Sequence, residues 1–289
     1  MRYPTAAAFR MALEEWIRQR STTYGVAIQR LRKRVAFERF LARLQASPDS
    51  PWFLKGAFAL DLRFGDRSRT TKDLDLAIDL AIAPNVPTTP AGVTELLQAA
   101  AAYELDDFIV FRVPAEGEQI QQEPSGHTYR FHTKALLDRR PFEDFKVDVG
   151  TVTPLVAPTE EIPESDTLLF AGIVPRRFRA ISLAQHFAEK IHALTFPRED
   201  REKTRVKDLV DIVLILEVNA PDPGTARNAL QAVFAGRGTH SLPSQIHDPP
   251  PSWTASYTAT ARELTLTHVT IEDATRFLNQ FLDQSFSVR

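Results

Sequence analysis

Apolar positions recur at helical spacing from the start of the chain. Phe9, Ala12, Leu13, Trp16 and Ile17 predict a helix over residues 4–18. Val26, Ile28, Leu31, Val35, Phe37, Phe40 and Leu41 predict a second, longer helix to residue 44, capped by Thr22 or Thr23. Ser47-Pro48-Asp49-Ser50-Pro51 breaks the pattern. A short apolar strand from Trp52 follows, then a Lys55-Gly56 step, a helix, a polar loop and a second apolar strand carrying Asp73-Leu74-Asp75. After a loop over residues 84–90 comes a helix over residues 91–103, and then three strands over residues 108–113, 128–137 and 145–149. Beyond residue 154 the strand signals fade, and residues 182–194, 203–217, 225–234 and 271–281 read as helices. Residues 243–251 form a proline-rich loop. The pattern predicts an α+β protein: a mixed-sheet domain with N-terminal helices over residues 1–152, then a mainly helical domain over residues 153–289.

Alternation along a strand gives the chemistry its first foothold. Asp73 and Asp75 point to one side while Leu74 and Leu76 point to the other. Two carboxylates on one face repel each other unless a cation sits between them. All-oxygen ligands suit Mg²⁺ or Mn²⁺. Upstream, Lys55-Gly56-Ala57 opens a helix, and a glycine step at a helix start suits a polyphosphate. Asp148 is a further carboxylate in an apolar strand, Lys146-Val147-Asp148-Val149. If that strand lies beside the first pair, three carboxylates converge. Metals held there can activate a hydroxyl and stabilise a leaving pyrophosphate. The alternative for Asp148 is a turn cap at a strand end.

The bulk properties narrow the class. The 289 residues hold no cysteine, which removes disulfides and Cys-ligated zinc or iron–sulfur sites. His186 and His192 are six apart, and no HExxH spacing offers zinc another home. GxSxG and P-loop patterns are absent. Neither a secretory leader pattern nor an apolar run of membrane-spanning length is present, so the expected compartment is the cytoplasm, with no membrane partner. Net charge is −2, yet basic residues cluster over 30–43, 176–179 and 198–205, which suits a polyanionic partner or, equally, solvated surface.

Four segments in order, Lys55-Gly56-Ala57-Phe58-Ala59-Leu60, Thr71-Lys72-Asp73-Leu74-Asp75-Leu76, Ala188-Glu189-Lys190-Ile191-His192-Ala193 and Arg205-Val206-Lys207-Asp208-Leu209-Val210-Asp211-Ile212, resemble the AbiEii/AbiGii toxin-type nucleotidyltransferases. These belong to the DNA polymerase β-like superfamily and include MenT-like toxins. The resemblance implies an enzyme that binds NTP with Mg²⁺ and attaches NMP to an RNA 3′ end, tRNA above all, so blocking translation within a toxin–antitoxin or phage-defence pair. It implies Asp73 and Asp75 as metal ligands, Asp148 in the third-carboxylate position, Lys190 on the triphosphate and Asp211 as a catalytic or positioning carboxylate. Lys207 and Asp208 would flank the nucleotide beside Lys55, Gly56 and Ala57. Gly56-Ala57 departs from the usual Gly-Ser or Gly-Gly, so backbone N–H groups would have to replace a serine hydroxyl. The alternatives are transfer onto a protein hydroxyl and a catalytically inactive nucleotide-binding module. For single residues, Lys190 can also be read as a snorkelling surface lysine, and Lys207 and Asp211 as a surface i,i+4 ion pair.

Overall fold

The computed structural model describes residues 1–85, 88–123, 126–151, 155–197 and 205–287. The chain is α+β and divides into two compact units. The division is not a single cut. The first unit takes residues 1–62, 70–153 and 161–180, and the second takes 63–69, 154–160 and 181–289.

The first unit begins with α1 (Ala6–Tyr24) and α2 (Ile28–Leu44). Thr5 caps α1, whose helical run passes straight through Thr22 and Thr23. It stops at Gly25, which adopts φ 69° and returns its N–H to Ser21. The expected threonine cap of α2 is therefore not used; the left-handed glycine sets the boundary instead.

β1 (Trp52–Lys55) runs directly into α3 (Gly56–Phe64), and β2 (Asp73–Ile78) returns beside β1. α4 (Pro90–Ala101) follows, capped by Thr89 with proline in its first turn. β3 (Ile109–Arg112), β4 (Glu118–Glu123), β5 (Gly126–Leu137) and β6 (Arg140–Gly150) come next. β5 and β6 form a long hairpin, and both turn residues, Asp138 and Arg139, have positive φ. β7 (Glu160–Pro163) and β8 (Arg177–Ala180) lie where no strand was expected. The sheet order is β3-β5-β6-β2-β1-β8-β7, with β4 paired to β5. β2 and β6 are parallel, as are β1 and β8; the other registered pairs are antiparallel.

One face of this sheet is the core. Leu54, Leu74, Leu76, Phe131, Phe145, Val147 and Val149 are buried there with Val35, Phe37, Phe40 and Leu41 of α2. Phe37 meets Phe58 and Phe145 edge-on, and Phe40 meets Phe111 in the same way. The helix that carries the first basic cluster is also locked inside: Arg39 and Arg43 both bond Asp107, and Arg39 also bonds Glu164.

The second unit contains α5 (Leu183–Thr195), α6 (Val206–Asn219), α7 (Pro223–Arg237), α8 (Thr254–Glu263) and α9 (Ile271–Ser287). α6 is its hub, with every residue from 208 to 215 buried. The sequence reading lacked α8, whose buried positions are only Tyr257 and Ala261. No helix among the described residues is long and apolar enough to cross a membrane.

Candidate functional site

Register assembles the first group of candidates. Lys55 stands opposite Asp75, and in the parallel β2–β6 pair Asp73 stands beside Lys146 and Asp75 beside Asp148. Partners in register share a face. Lys55, Asp73, Asp75, Lys146 and Asp148 therefore lie together on the face opposite the core, as does Arg130 of β5, which pairs with Asp148. Asp73 and Asp75 are half-buried and Asp148 is buried. Further along β1 and β2 the same face turns apolar, at Phe53 and Ala77.

Gly56 explains its own identity. It has φ 66°, and a Cβ placed there would run into the carboxylate of Asp75, within 2.6 Å of the Asp75 Cβ. The start of α3 is thus pressed against Asp75, an approach open to glycine alone. Ala57 follows, buried, in the first turn. The lysine-glycine step and the carboxylates, separated in sequence, form one local structure.

Asp148 is already engaged. Arg130 grips it with a fork, Nε to Oδ1 at 2.8 Å and Nη2 to Oδ2 at 2.7 Å. These bonds hold the Arg130 guanidinium more firmly protonated than usual, against some desolvation. Among the described residues no group of three His, Asp or Glu is placed to hold a metal ion. Asp73 and Asp75 alone supply a pair of carboxylates with the oxygen chemistry that Mg²⁺ or Mn²⁺ prefers. Thr71 supports them by donating its hydroxyl to the Asp73 carbonyl at 3.0 Å.

The second group lies in the helical unit. Lys190 Nζ on α5 is 2.8 Å from Asp208 Oδ1 and 2.8 Å from Asp211 Oδ2, both on α6. Arg69 forks onto Asp211 at 2.9 and 2.7 Å, and Arg205 bonds Asp208 Oδ2 at 2.8 Å. Burial pushes the Lys190 ammonium toward neutrality, but Asp211 and Asp208 outweigh it and keep it charged. Burial likewise pushes Asp211 upward, and Lys190 with Arg69 brings it below the usual carboxylate range. Lys190 is not a snorkelling lysine. Lys207 is exposed, and the partners of Asp211 are Lys190 and Arg69, so the simple Lys207–Asp211 helix pair is not formed. One turn before Lys190, His186 is buried, with no hydrogen-bond partner on either ring nitrogen among the described residues, and desolvation with the nearby Lys190 holds it neutral.

Two participants escaped the sequence reading. Arg130 could have been flagged only through its register with Asp148. Arg69 sits in a polar loop whose partner is far away in sequence. The basic clusters also look different in three dimensions. Arg30 and Arg34 bond Asp61, Arg32 bonds Glu14, and Lys33 pairs with Glu143. Arg177 bonds the Glu161 carbonyl, while Arg179 bonds the Ser50 and Trp52 carbonyls. Residues 198–204 of the third cluster lie outside the described residues.

Comparison with known proteins gives the arrangement a context. The family model described as "Nucleotidyl transferase AbiEii toxin, Type IV TA system" matches residues 39–284. Among solved structures, the fold is similar to MenT4, a nucleotidyltransferase toxin from Mycobacterium tuberculosis H37Rv, with a TM-score of 0.56 at 15% identity, over 95% of this chain and 98% of that one. No curated protein matches the chain.

Proposed function

The chain belongs to the AbiEii nucleotidyl transferase toxin family, and from that premise we propose that it transfers NMP from an NTP to the 3′ end of an RNA, with tRNA as the acceptor, and thereby blocks translation. The carrying observation is the close approach of Gly56 to Asp75, beside Asp73 on the polar face of the sheet. Family membership brings nucleotidyl transfer, NTP as substrate and a cognate antitoxin as partner; RNA as acceptor, Mg²⁺ dependence and a cytoplasmic setting are our reading.

Each residue then has a task. Asp73 and Asp75 are the residues that would hold a divalent cation, Mg²⁺ or Mn²⁺, which would neutralise phosphate charge and favour ionisation of the attacking hydroxyl. The 3′-oxygen attacks the α-phosphorus, and the bond to pyrophosphate breaks. The backbone at Gly56 and Ala57 receives phosphate oxygens where a serine hydroxyl is lacking, and Lys55 contributes charge beside Asp75. Asp148 keeps Arg130 beside the same pair. In the helical unit, Asp208 and Asp211 hold Lys190, the lysine that the family resemblance implies for the triphosphate, while Lys207 is a solvent-facing neighbour. A lysine suits this role as a compact point charge.

The test is transfer from each α-phosphorus-labelled NTP in Mg²⁺ with total tRNA, comparing wild type with Asp75→Ala. Label on RNA from wild type alone is the expected result. Label on protein would replace the acceptor with a protein hydroxyl. No label with any NTP, together with no metal-dependent NTP binding, would leave an inactive module.

A further inference from the structure

Over residues 30–43 the basic side chains are largely consumed by internal ion pairs. A different set of cations remains available, and the sheet register places it. On the polar face, the row through Asp73 continues to Lys146 and His132. The next row outward runs Asp144, Lys134, Arg112. Arg112, His132 and Lys134 are exposed and Lys146 is half-exposed. Among the described residues, the side chains of Arg112, Lys134 and Lys146 enter no hydrogen bond or ion pair. Among the described residues, two exposed acids share the face: Asp144 opposite Lys134, and Glu118 opposite Arg130.

We infer that this stripe, Lys146–His132–Lys134–Arg112, is the track along which the acceptor strand approaches Asp73 and Asp75; the inference rests on the RNA-acceptor reading above. Charge complementarity selects the occupant. The partner-free cations begin in the row of Asp73 and lead away from it, whereas Glu118 and Asp144 repel phosphate to either side. The track crosses three strand spacings of about 4.8 Å, on the order of 15 Å, so it spans a short single-stranded end rather than a duplex. No Phe, Tyr or Trp lies on it; Tyr129 and Phe131, of the same strand, point into the core. Without stacking platforms, contact is with the backbone and not the bases. The track therefore positions the acceptor and does not choose its sequence.

The test is equilibrium binding of two 5′-fluorescein RNAs, total tRNA and an unstructured 20-mer, across a KCl series. Wild type is compared with Arg112→Glu/Lys134→Glu, whose two positions lie three and two strands away from the metal carboxylates. Metal-dependent NTP binding is measured on the same samples. The expected result is at least tenfold weaker binding of both RNAs and a log K against log salt slope shallower by about 1.4, since each phosphate contact on a single strand contributes about 0.7. NTP binding stays as in wild type. If the charge-reversed protein does not fold, Arg112→Gln/Lys134→Gln is read in the same way. RNA binding by the variant equal to wild type, with the same slope, overturns the track and leaves the function standing. Wild type that binds NTP but no RNA overturns the RNA acceptor and the track together.

Discussion

Arg130 and Asp148 meet as a two-pronged pair, both carboxylate oxygens bonded at 2.8 and 2.7 Å, on adjacent strands in register. Removing the cation strands a buried acid. Arg130→Gln is expected to lower stability by about 1–2 kcal/mol, toward the small end for charged hydrogen bonds because the guanidinium is a quarter exposed. Arg130→Lys restores charge but not the fork and recovers only part of the loss. Urea denaturation checks this. Adding Asp148→Asn to Arg130→Gln must cost less than the two changes summed; strict additivity would mean that the pair is not coupled in solution.

Gly56 carries two constraints at once, a left-handed backbone and a carboxylate where a side chain would go. Gly56→Ala is expected to cost about 1–2 kcal/mol from the backbone alone, with a further penalty from displacing Asp75. Thermal unfolding reads the first effect and nucleotide transfer the second. A variant with wild-type transfer would show that Asp75 need not sit against the helix start.

Lys190 stands between two carboxylates whose other neighbours are arginines. Lys190→Met leaves Asp208 and Asp211 facing each other and is expected to cost about 3–5 kcal/mol in guanidinium unfolding. Coupling Lys190→Met with Asp211→Asn should return part of this. The pair also sets acid stability. Because the folded Asp211 pKa lies below its unfolded value near 3.8, its stabilisation is complete above that pH and is lost as pH falls through the folded value. Acid titration of Asp211→Asn should show a weaker stability loss below pH ~4 than wild type.

Glu38 titrates the other way. It is buried with one oxygen accepting from the Ser165 N–H and the other without a partner among the described residues, and burial followed by the nearby Glu164 pushes its carboxyl up to about 8. From pH ~4.5 to 8 the folded state holds a proton that the unfolded state has released, so stability falls as pH rises through that window. Glu38→Gln is expected to flatten the decline and to stabilise more at pH 8 than at pH 5. Parallel unfolding curves for both proteins across that range would sink the assignment.

Much of the candidate site was legible because its signals are local. Alternation through Asp73-Leu74-Asp75 gave the shared face, and the Lys55-Gly56 step marked the strand-to-helix junction. Asp211 was marked by the resemblance of the Arg205-to-Ile212 segment to the family. What stayed hidden depends on distant partners. β7 and β8 have four residues each and exist through their neighbours in the sheet, not through propensity. The polar sequence of β4 reads as loop until β5 offers it an edge. Arg130 and Arg69 look like ordinary surface arginines until register and tertiary packing deliver Asp148 and Asp211. The basic run over residues 30–43 shows the same limit: a count of charges does not show which of them already have partners.

The pairing of Leu54 with Ala180 has a consequence for how the protein is made. Chain growth delivers β1 and β2 early, but the outer neighbour of β1 emerges only with β8, well past the midpoint of the chain. Until then the strand ending in Lys55 keeps an open hydrogen-bonding edge on the nascent polypeptide, a template for wrong partners. The ribosome must therefore finish most of the molecule before the sheet beneath the carboxylates is closed, and a prematurely released fragment carries the motif without the platform that aims it.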